Sequence, residues 1–308
     1  MEIFGSTFDD SVFSETKDKV SVKLLPYKAK LCESQWFCES AAIDTEDSLE
    51  KQKVFKFRGD LASRQRNYKE ALEAYNSCLE WVPDSNLTIR RDVLDGIARC
   101  YSNLGQEERA LEVADLLSKE ASNTCHLTSL LLLKVSIHQR SGALGPKVAS
   151  LEQLCCLLPF YPWHWYNLGQ TCLRQLQTNG SLGSCRLRSP GDEADGSRTE
   201  EGQGEEEEER AWLEACMSFI RTRLLLRMLR QQQSSFVLQR TKSALCRSDE
   251  ALLQLNPTEE MLQTLTALLS EDLVPEKMRE DGQDGESLAS ISMQSFHERW
   301  WDKVLGSQ

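Results

Sequence analysis

Nowhere among the 308 residues do eighteen apolar side chains run without interruption, so no segment reads as a helix that crosses a bilayer. The opening residues MEIFGSTFDDSVFSE lack the basic n-region and the long apolar run of a secretory signal. The expectation is therefore a soluble intracellular chain, in the cytoplasm, the nucleus or both, with no membrane partner. Eleven cysteines are present but none in C-x-x-C spacing. Most of them (Cys78, Cys100, Cys155, Cys156, Cys172, Cys216) fall inside apolar helical patterns, where thiols behave as small hydrophobes of a reducing compartment. The four histidines, His126, His138, His164 and His297, show no H-x-x-x-H or H-E-x-x-H spacing and no neighbouring nucleophile elbow. They read as structural or surface residues. The glycines of SGALGPK, Gly142 and Gly145, lack the G-x-x-x-x-G-K-[ST] pattern of a phosphate loop and read as a turn between helices. No catalytic, cofactor-binding or metal-ligating residue is expected, and no small-molecule substrate.

The formal net charge is -12, with a pI of about 5.0, which disfavours nucleic-acid binding by the surface as a whole because polyphosphate repels an acidic field. That charge is uneven. Residues 178 to 209 hold ten acidic and three basic side chains, a net of -7, while residues 215 to 248 hold seven basic side chains and no acidic one. The two segments are oppositely charged and could neutralise each other.

What the chain does have is punctuation at helical spacing. In NYKEALEAYNSCLEWVP a small residue, Ala71, is followed one turn later by Tyr75 and then by Pro83. A small side chain lets two antiparallel helices cross closely, an aromatic one turn on fills the gap to the next unit, and proline ends the helix. Ahead of it, VFKFRGDLASRQRNYKEA supplies a first helix with Phe55 and Gly59 facing the partner. Together Phe55, Gly59, Ala71, Tyr75 and Pro83 resemble the tetratricopeptide repeat, whose pattern is W-x-x-L-G-x-x-Y, then A-x-x-x-F, then P, with Phe55 standing for the tryptophan. A second unit is read in DVLDGIARCYSNLGQEERALEVADLL, with Ala98 and Tyr101 on its first helix, Gly105 in the turn and Ala110 at the crossing. A third, LTSLLLLKVSIHQRSGALGPKVASLEQLCCLLP, carries Lys147 where a small residue is needed. The fourth opens on WYNLG, where Trp165, Leu168 and Gly169 reproduce W-x-x-L-G; its second helix is expected at RAWLEACMSFIR, with Ala215 and Phe219 as the A-x-x-x-F pair.

The fold expected is all-α: an antiparallel helix-pair repeat, a tetratricopeptide-like α-solenoid, interrupted by an acidic disordered insert and closed by a helical C-terminal cap. In detail, a disordered tail is expected over 1 to 25, repeats over 26 to 177, the insert over 178 to 209, the remaining repeat helix and cap over 210 to 275, and a linker with a short terminal helix over 276 to 308.

The resemblance implies peptide binding on the surface lined by first helices, and hence a non-catalytic scaffold or adaptor with protein partners. The lining residues would include Lys56, Asp60, Asp95 and Arg99. One subset of the family clamps a chaperone's C-terminal carboxylate with Lys and Asn; Lys56 stands at the clamp lysine, but Asp60 replaces the following asparagine and Gly96 stands nearest the next. The rival reading is a nuclear regulator that touches nucleic acid through the basic helix 221 to 247, with Arg223, Arg227 and Arg230 on one face and masked by Glu205 to Glu209. Two L-x-x-L-L stretches, Leu154 to Leu158 and Leu265 to Leu269, read as core stripes rather than docking motifs. Ser189, followed by Pro190, is a phosphorylation candidate within the insert. Phe4, Phe8 and Phe13 at one end, and Trp300 and Trp301 at the other, suit aromatic docking, either onto this chain's own stack or onto a partner.

Overall fold

The structure is a computed structural model of the full chain and describes residues 34–180, 200–230, 235–274 and 296–305. Two 3₁₀ turns, Trp36–Cys38 and Ser40–Ile43, precede ten α-helices: α1 Ser48–Arg64, α2 Tyr68–Trp81, α3 Leu87–Asn103, α4 Glu107–Lys119, α5 Thr124–Ser141, α6 Leu144–Leu157, α7 Pro162–Thr178, α8 Glu200–Arg230, α9 Ser235–Leu255 and α10 Glu259–Leu268. A π-turn, His297–Trp301, runs into a last short helix, α11, Asp302–Leu305. Among the described residues every regular element is helical, and helices adjacent in sequence pack as pairs.

Local chemistry sets the helix starts. The side chains of Asp47, Asn86, Asn123 and Thr258 accept the backbone N–H of Leu49, Ile89, His126 and Met261, satisfying donors that have no partner inside the helix. Pro162 opens α7, where its missing N–H costs nothing. Gly105 and Gly142 take φ of 75° and 79° in the α3–α4 turn and at the end of α5, a region that a side chain would strain.

The pairs meet at small residues. Ala71, Ala98, Ala110, Ala114 and Ala215 are all fully buried. A Cβ built on Gly59 of α1 would lie 2.5 Å from the Tyr75 ring, and one on Gly96 of α3 would lie 2.8 Å from the same ring. Tyr75 is therefore wedged between two helices of different pairs. In α7 a Cβ on Gly169 would meet the Phe219 ring of α8 at 3.1 Å. At the α5–α6 crossing Lys147 is buried, and its ammonium donates to Gln139 of α5. Burial lowers its pKa, with Arg174 adding to the effect.

The core is three linked clusters. One joins α1, α2 and α3 around Tyr75, Cys78 and Val93; a second joins α3, α4 and α5 around Ala114, Leu130 and Ile137. The largest runs from α5 through α11 around Trp165, Met217, Phe219, Phe296 and Trp300. Leu79, Tyr101 and Val113 touch the first two clusters, and Leu127 the last two, so apolar contact is continuous.

Three expectations change. The acidic insert does not extend to residue 209: α8 is already helical from Glu200. Glutamate is a good helix former, and negative charge is favoured at a helix N-terminus, so a helix anchored in the core beyond Ala211 propagates back through the Glu run. Arg221, the first cation of the basic helix expected to contact nucleic acid over 221 to 247, is fully buried. It donates to Asp272 through both terminal nitrogens and to the Leu269 carbonyl. Masking of the basic series by Glu205 to Glu209 is also excluded within one copy, since both lie on the single helix α8. Glu209 and Arg223 are fourteen residues apart, roughly 21 Å at 1.5 Å rise per residue. Ser189, Phe4, Phe8 and Phe13 lie outside the described residues.

Candidate functional site

An open cleft of about 460 Å³ lies across α1, α3 and α5, the first members of successive pairs. Lys56 comes from α1; Arg91, Asp92, Asp95 and Arg99 from α3; His126 and Leu130 from α5, with Leu117 of α4 at the apolar base. The chain reaches this arrangement because Val93, Leu94, Ile97 and Ala98 bury one side of α3 and leave Asp92, Asp95 and Arg99 on the other.

The charges are largely paired. The Lys56 ammonium donates to Asp60 Oδ2 at 3.0 Å, and the Tyr75 hydroxyl donates to Asp60 Oδ1 at 2.8 Å. Burial raises the Tyr75 pKa above its ordinary value, with the bond to Asp60 and its charge adding to the effect. Asp60 is thus held from both sides and does not itself line the cleft. Arg99 grips Asp95 with two bonds, of 2.6 and 3.1 Å. Arg91 donates to the Glu120 carbonyl at 3.4 Å, while Asp92 is exposed with no ion-pair partner among the described residues. With Lys56 neutralised by Asp60, which does not line the cleft, Arg91 and Arg99 against Asp92 and Asp95 leave the site balanced in charge. A lone carboxylate meets no free lysine here, because Asp60 already neutralises Lys56, and Gly96 supplies no asparagine amide.

The structure thus brings together Lys56, Asp95 and Arg99 along the cleft, with Asp60 outside its lining and paired to Lys56. The packing residues lie elsewhere. Gly59, Ala71, Tyr75, Ala98 and Ala110 are buried between helices and Phe55 and Tyr101 are partly buried, while Pro83 is exposed just after the end of α2. Trp165, Leu168 and Gly169 are buried on α7, and the Trp165 indole N–H donates to the Pro159 carbonyl at 2.9 Å. Both L-x-x-L-L stretches are spent on packing: Leu154, Leu265 and Leu269 are buried.

A second polar cluster, with two buried carboxylates, was not read from the sequence. Glu152 of α6 and Glu214 of α8 are buried, with Arg210 at 3.6 Å and His297 at 4.0 Å from Glu152. Burial, then the charge of Glu152 and a bond to it, push the Glu214 pKa well above its ordinary value, which favours the protonated form. The only signal available was one acid inside each of two apolar stretches, VASLEQLCCLL and AWLEACMSF. His164 is buried too, its Nε2 has no hydrogen-bond partner among the described residues, and burial lowers its pKa to about 4.

The C-terminal aromatics dock in cis. Trp300 packs edge-on against Trp165 at 4.9 Å between ring centroids, and Phe296 lies 5.7 Å from Trp165. Trp301 is buried with the Arg210 guanidinium 5.3 Å from its ring centroid. The segment completes the core around Trp165.

Comparison with known proteins agrees with an overall layout that, read from the sequence, resembles an uncharacterised vertebrate chromosome-eight open-reading-frame product. The human uncharacterized protein C8orf76 is 30% identical over 358 residues, covering 98% of this chain and 93% of the human one. The rat uncharacterized protein C8orf76 homolog is 30% identical over 351 residues with the same coverage. The profile that matches is not a tetratricopeptide one. It is that of a family of unknown function, DUF5588, and it matches residues 2–189 and 188–305, dividing within the acidic segment. The chain belongs to the DUF5588 family.

Proposed function

We propose that this chain is a non-catalytic scaffold or adaptor, a tetratricopeptide-like stack of helix pairs that binds a polar peptide segment in the α1–α3–α5 cleft. One observation carries the reading: alternate helices contribute Lys56, Arg91, Asp92, Asp95 and Arg99 to a single concavity with an apolar base. One further feature supports the stack. The contacts of Gly59 with Tyr75 and of Gly169 with Phe219 repeat the same glycine-on-aromatic crossing. Separately, nine free cysteines among the described residues, five of them buried, suit a reducing compartment such as cytoplasm or nucleus. A balanced, already paired lining favours a ligand with both signs of charge, because exchange of existing pairs for new ones costs less than desolvating an unpaired charge. The nucleic-acid reading loses two of its seven cations, since Arg221 holds Asp272 and Arg223 holds Asp249 at 3.0 Å.

The test is proximity labelling in cells followed by mass spectrometry, with wild type compared to Lys56→Gln/Arg99→Gln. Neutral replacements are needed because charge reversal would set Glu beside Asp60 and Asp95. The double variant is expected to lose a defined subset of neighbours while keeping helix content: the exposed Arg99 substitution should shift stability by about 0.5 kcal/mol or less, and the half-buried Lys56 substitution, which gives up the pair with Asp60, by about 1 kcal/mol or less. An unchanged neighbour set on an intact fold would sink the proposal.

A further inference from the structure

Helix α8 is covered along its middle, where every residue from Ala211 to Thr222 is buried. It reaches solvent at two ends of opposite charge. Glu207 and Glu209 are exposed at one end, and Arg227 and Arg230 at the other. Eighteen residues separate Glu209 from Arg227, roughly 27 Å along the axis, so the two ends of one copy cannot meet.

The basic end continues across the hairpin into α9. The Arg223–Asp249 ion pair, at 3.0 Å, fixes how α8 and α9 run past each other. Seven residues toward the turn from each partner, two turns on along the same seam, stand Arg230 and Lys242, both exposed. Arg240 and Arg247, also exposed, share another row of α9, and the Arg240 guanidinium lies 4.0 Å from the ring centroid of Trp163 of α7. Arg227, Arg230, Arg240, Lys242 and Arg247 have no carboxylate partner among the described residues, and Met228 adds exposed apolar surface between them. Like charges aligned on one seam repel, so an anion that covers them recovers that energy.

We propose that this basic hairpin end is a self-association surface whose occupant is the acidic N-terminal end of α8 from a second copy of the chain. Charge complementarity selects that occupant. Glu207, Glu208 and Glu209 supply three consecutive carboxylates to face cations that have no carboxylate partner among the described residues, and the length of α8 bars them from serving their own copy. A polyphosphate is the poorer fit, because the rest of a chain of net charge -12 repels it and because the Trp163 ring beside the site is already covered by Arg240. The contact joins two different surfaces, so it is heterologous, and assembly continues past the dimer unless a ring closes.

Sedimentation velocity on the full chain tests this. Wild type is expected to self-associate at about 0.05 M salt and to run as a monomer at about 0.5 M, where the screening length falls to a few ångströms. Arg227→Glu/Arg230→Glu/Lys242→Glu and Glu207→Lys/Glu208→Lys/Glu209→Lys should each stay monomeric alone at low salt, and an equimolar mixture of the two should associate. The Gln versions of both sets, expected to be monomeric alone and together, control for folding. Monomeric wild type at low salt overturns the proposal, as does association that survives either triple variant. Salt-sensitive retention of monomeric wild type on an oligo-dT resin, lost in the Arg/Lys variant, would assign the surface to phosphates instead. None of these outcomes depends on the α1–α3–α5 cleft, so the adaptor reading stands or falls separately.

Discussion

At residue scale, neighbours decide what a glycine does. Gly→Ala inside a helix gains up to about 1 kcal/mol where space allows. Gly145, in the first turn of α6, has nothing within 4 Å of a built Cβ, whereas Gly59 has the Tyr75 ring at 2.5 Å. That ring cannot retreat, because Gly96 backs it and its hydroxyl is held by Asp60. Gly145→Ala is expected to raise the thermal midpoint, while Gly59→Ala lowers it by an overpacking cost of about 1–3 kcal/mol. Paired melts decide the matter: a Gly59→Ala protein as stable as wild type would show the crossing to be loose.

His164 gives the chain an acid-sensitive term. Its folded pKa is about 4 against an ordinary value near 6.5, so the unfolded chain binds the proton first as pH falls. The neutral imidazole's contribution is therefore complete above the unfolded value and is lost as pH falls from about 6.5 toward about 4. Glu214 acts in the opposite direction, because its raised pKa contributes stability that is lost as pH climbs out of the ordinary carboxylate range. Melts of wild type and His164→Gln between these limits should converge toward low pH, and parallel curves would refute the assignment.

At the scale of elements, the C-terminal segment is a structural member. Phe296, Trp300, Trp301 and Val304 are buried and belong to the same cluster as Trp165. Arg210 ties the segment on through His297 Nε2 at 2.8 Å, while Arg299 reaches Asp272 at 3.5 Å, the carboxylate already held by Arg221. Trp300→Ala should cost about 3–5 kcal/mol, the range for truncating a buried Trp. Chemical denaturation would measure it, and a loss of less than about 1 kcal/mol would mean that the segment is only loosely laid on the core.

At the scale of the whole molecule, α7 and α8 pack against each other although residues 181–199 separate them in sequence. Loop-closure entropy grows slowly with length, so the pair can close across a long connection. Exchanging 181–199 for a Gly/Ser linker of the same length should leave the melting temperature and its cooperativity unchanged. A broadened or lowered transition would show that those residues contribute to the core.

Much of the helix-pair layout was legible because its determinants are short-range. Caps such as Asn86 and Asn123, the turn glycines Gly105 and Gly142, and the spacing of Gly59, Ala71 and Tyr75 act over a turn or two, within reach of the sequence itself. The identity of the cleft-lining side chains followed in part from the same periodicity, since the apolar side of α3 fixes which of its residues face away. What only the tertiary structure decided is which surfaces are covered. Arg221 reads as a solvated cation until Asp272, fifty-one residues on, is found against it. Trp300 reads as a free docking residue until Trp165 is found beneath it, and the acidic and basic runs read as partners until one rigid helix holds them apart. Each of these depends on an element brought in from far along the chain or on the length of a continuous helix, and local spacing carries no information about either.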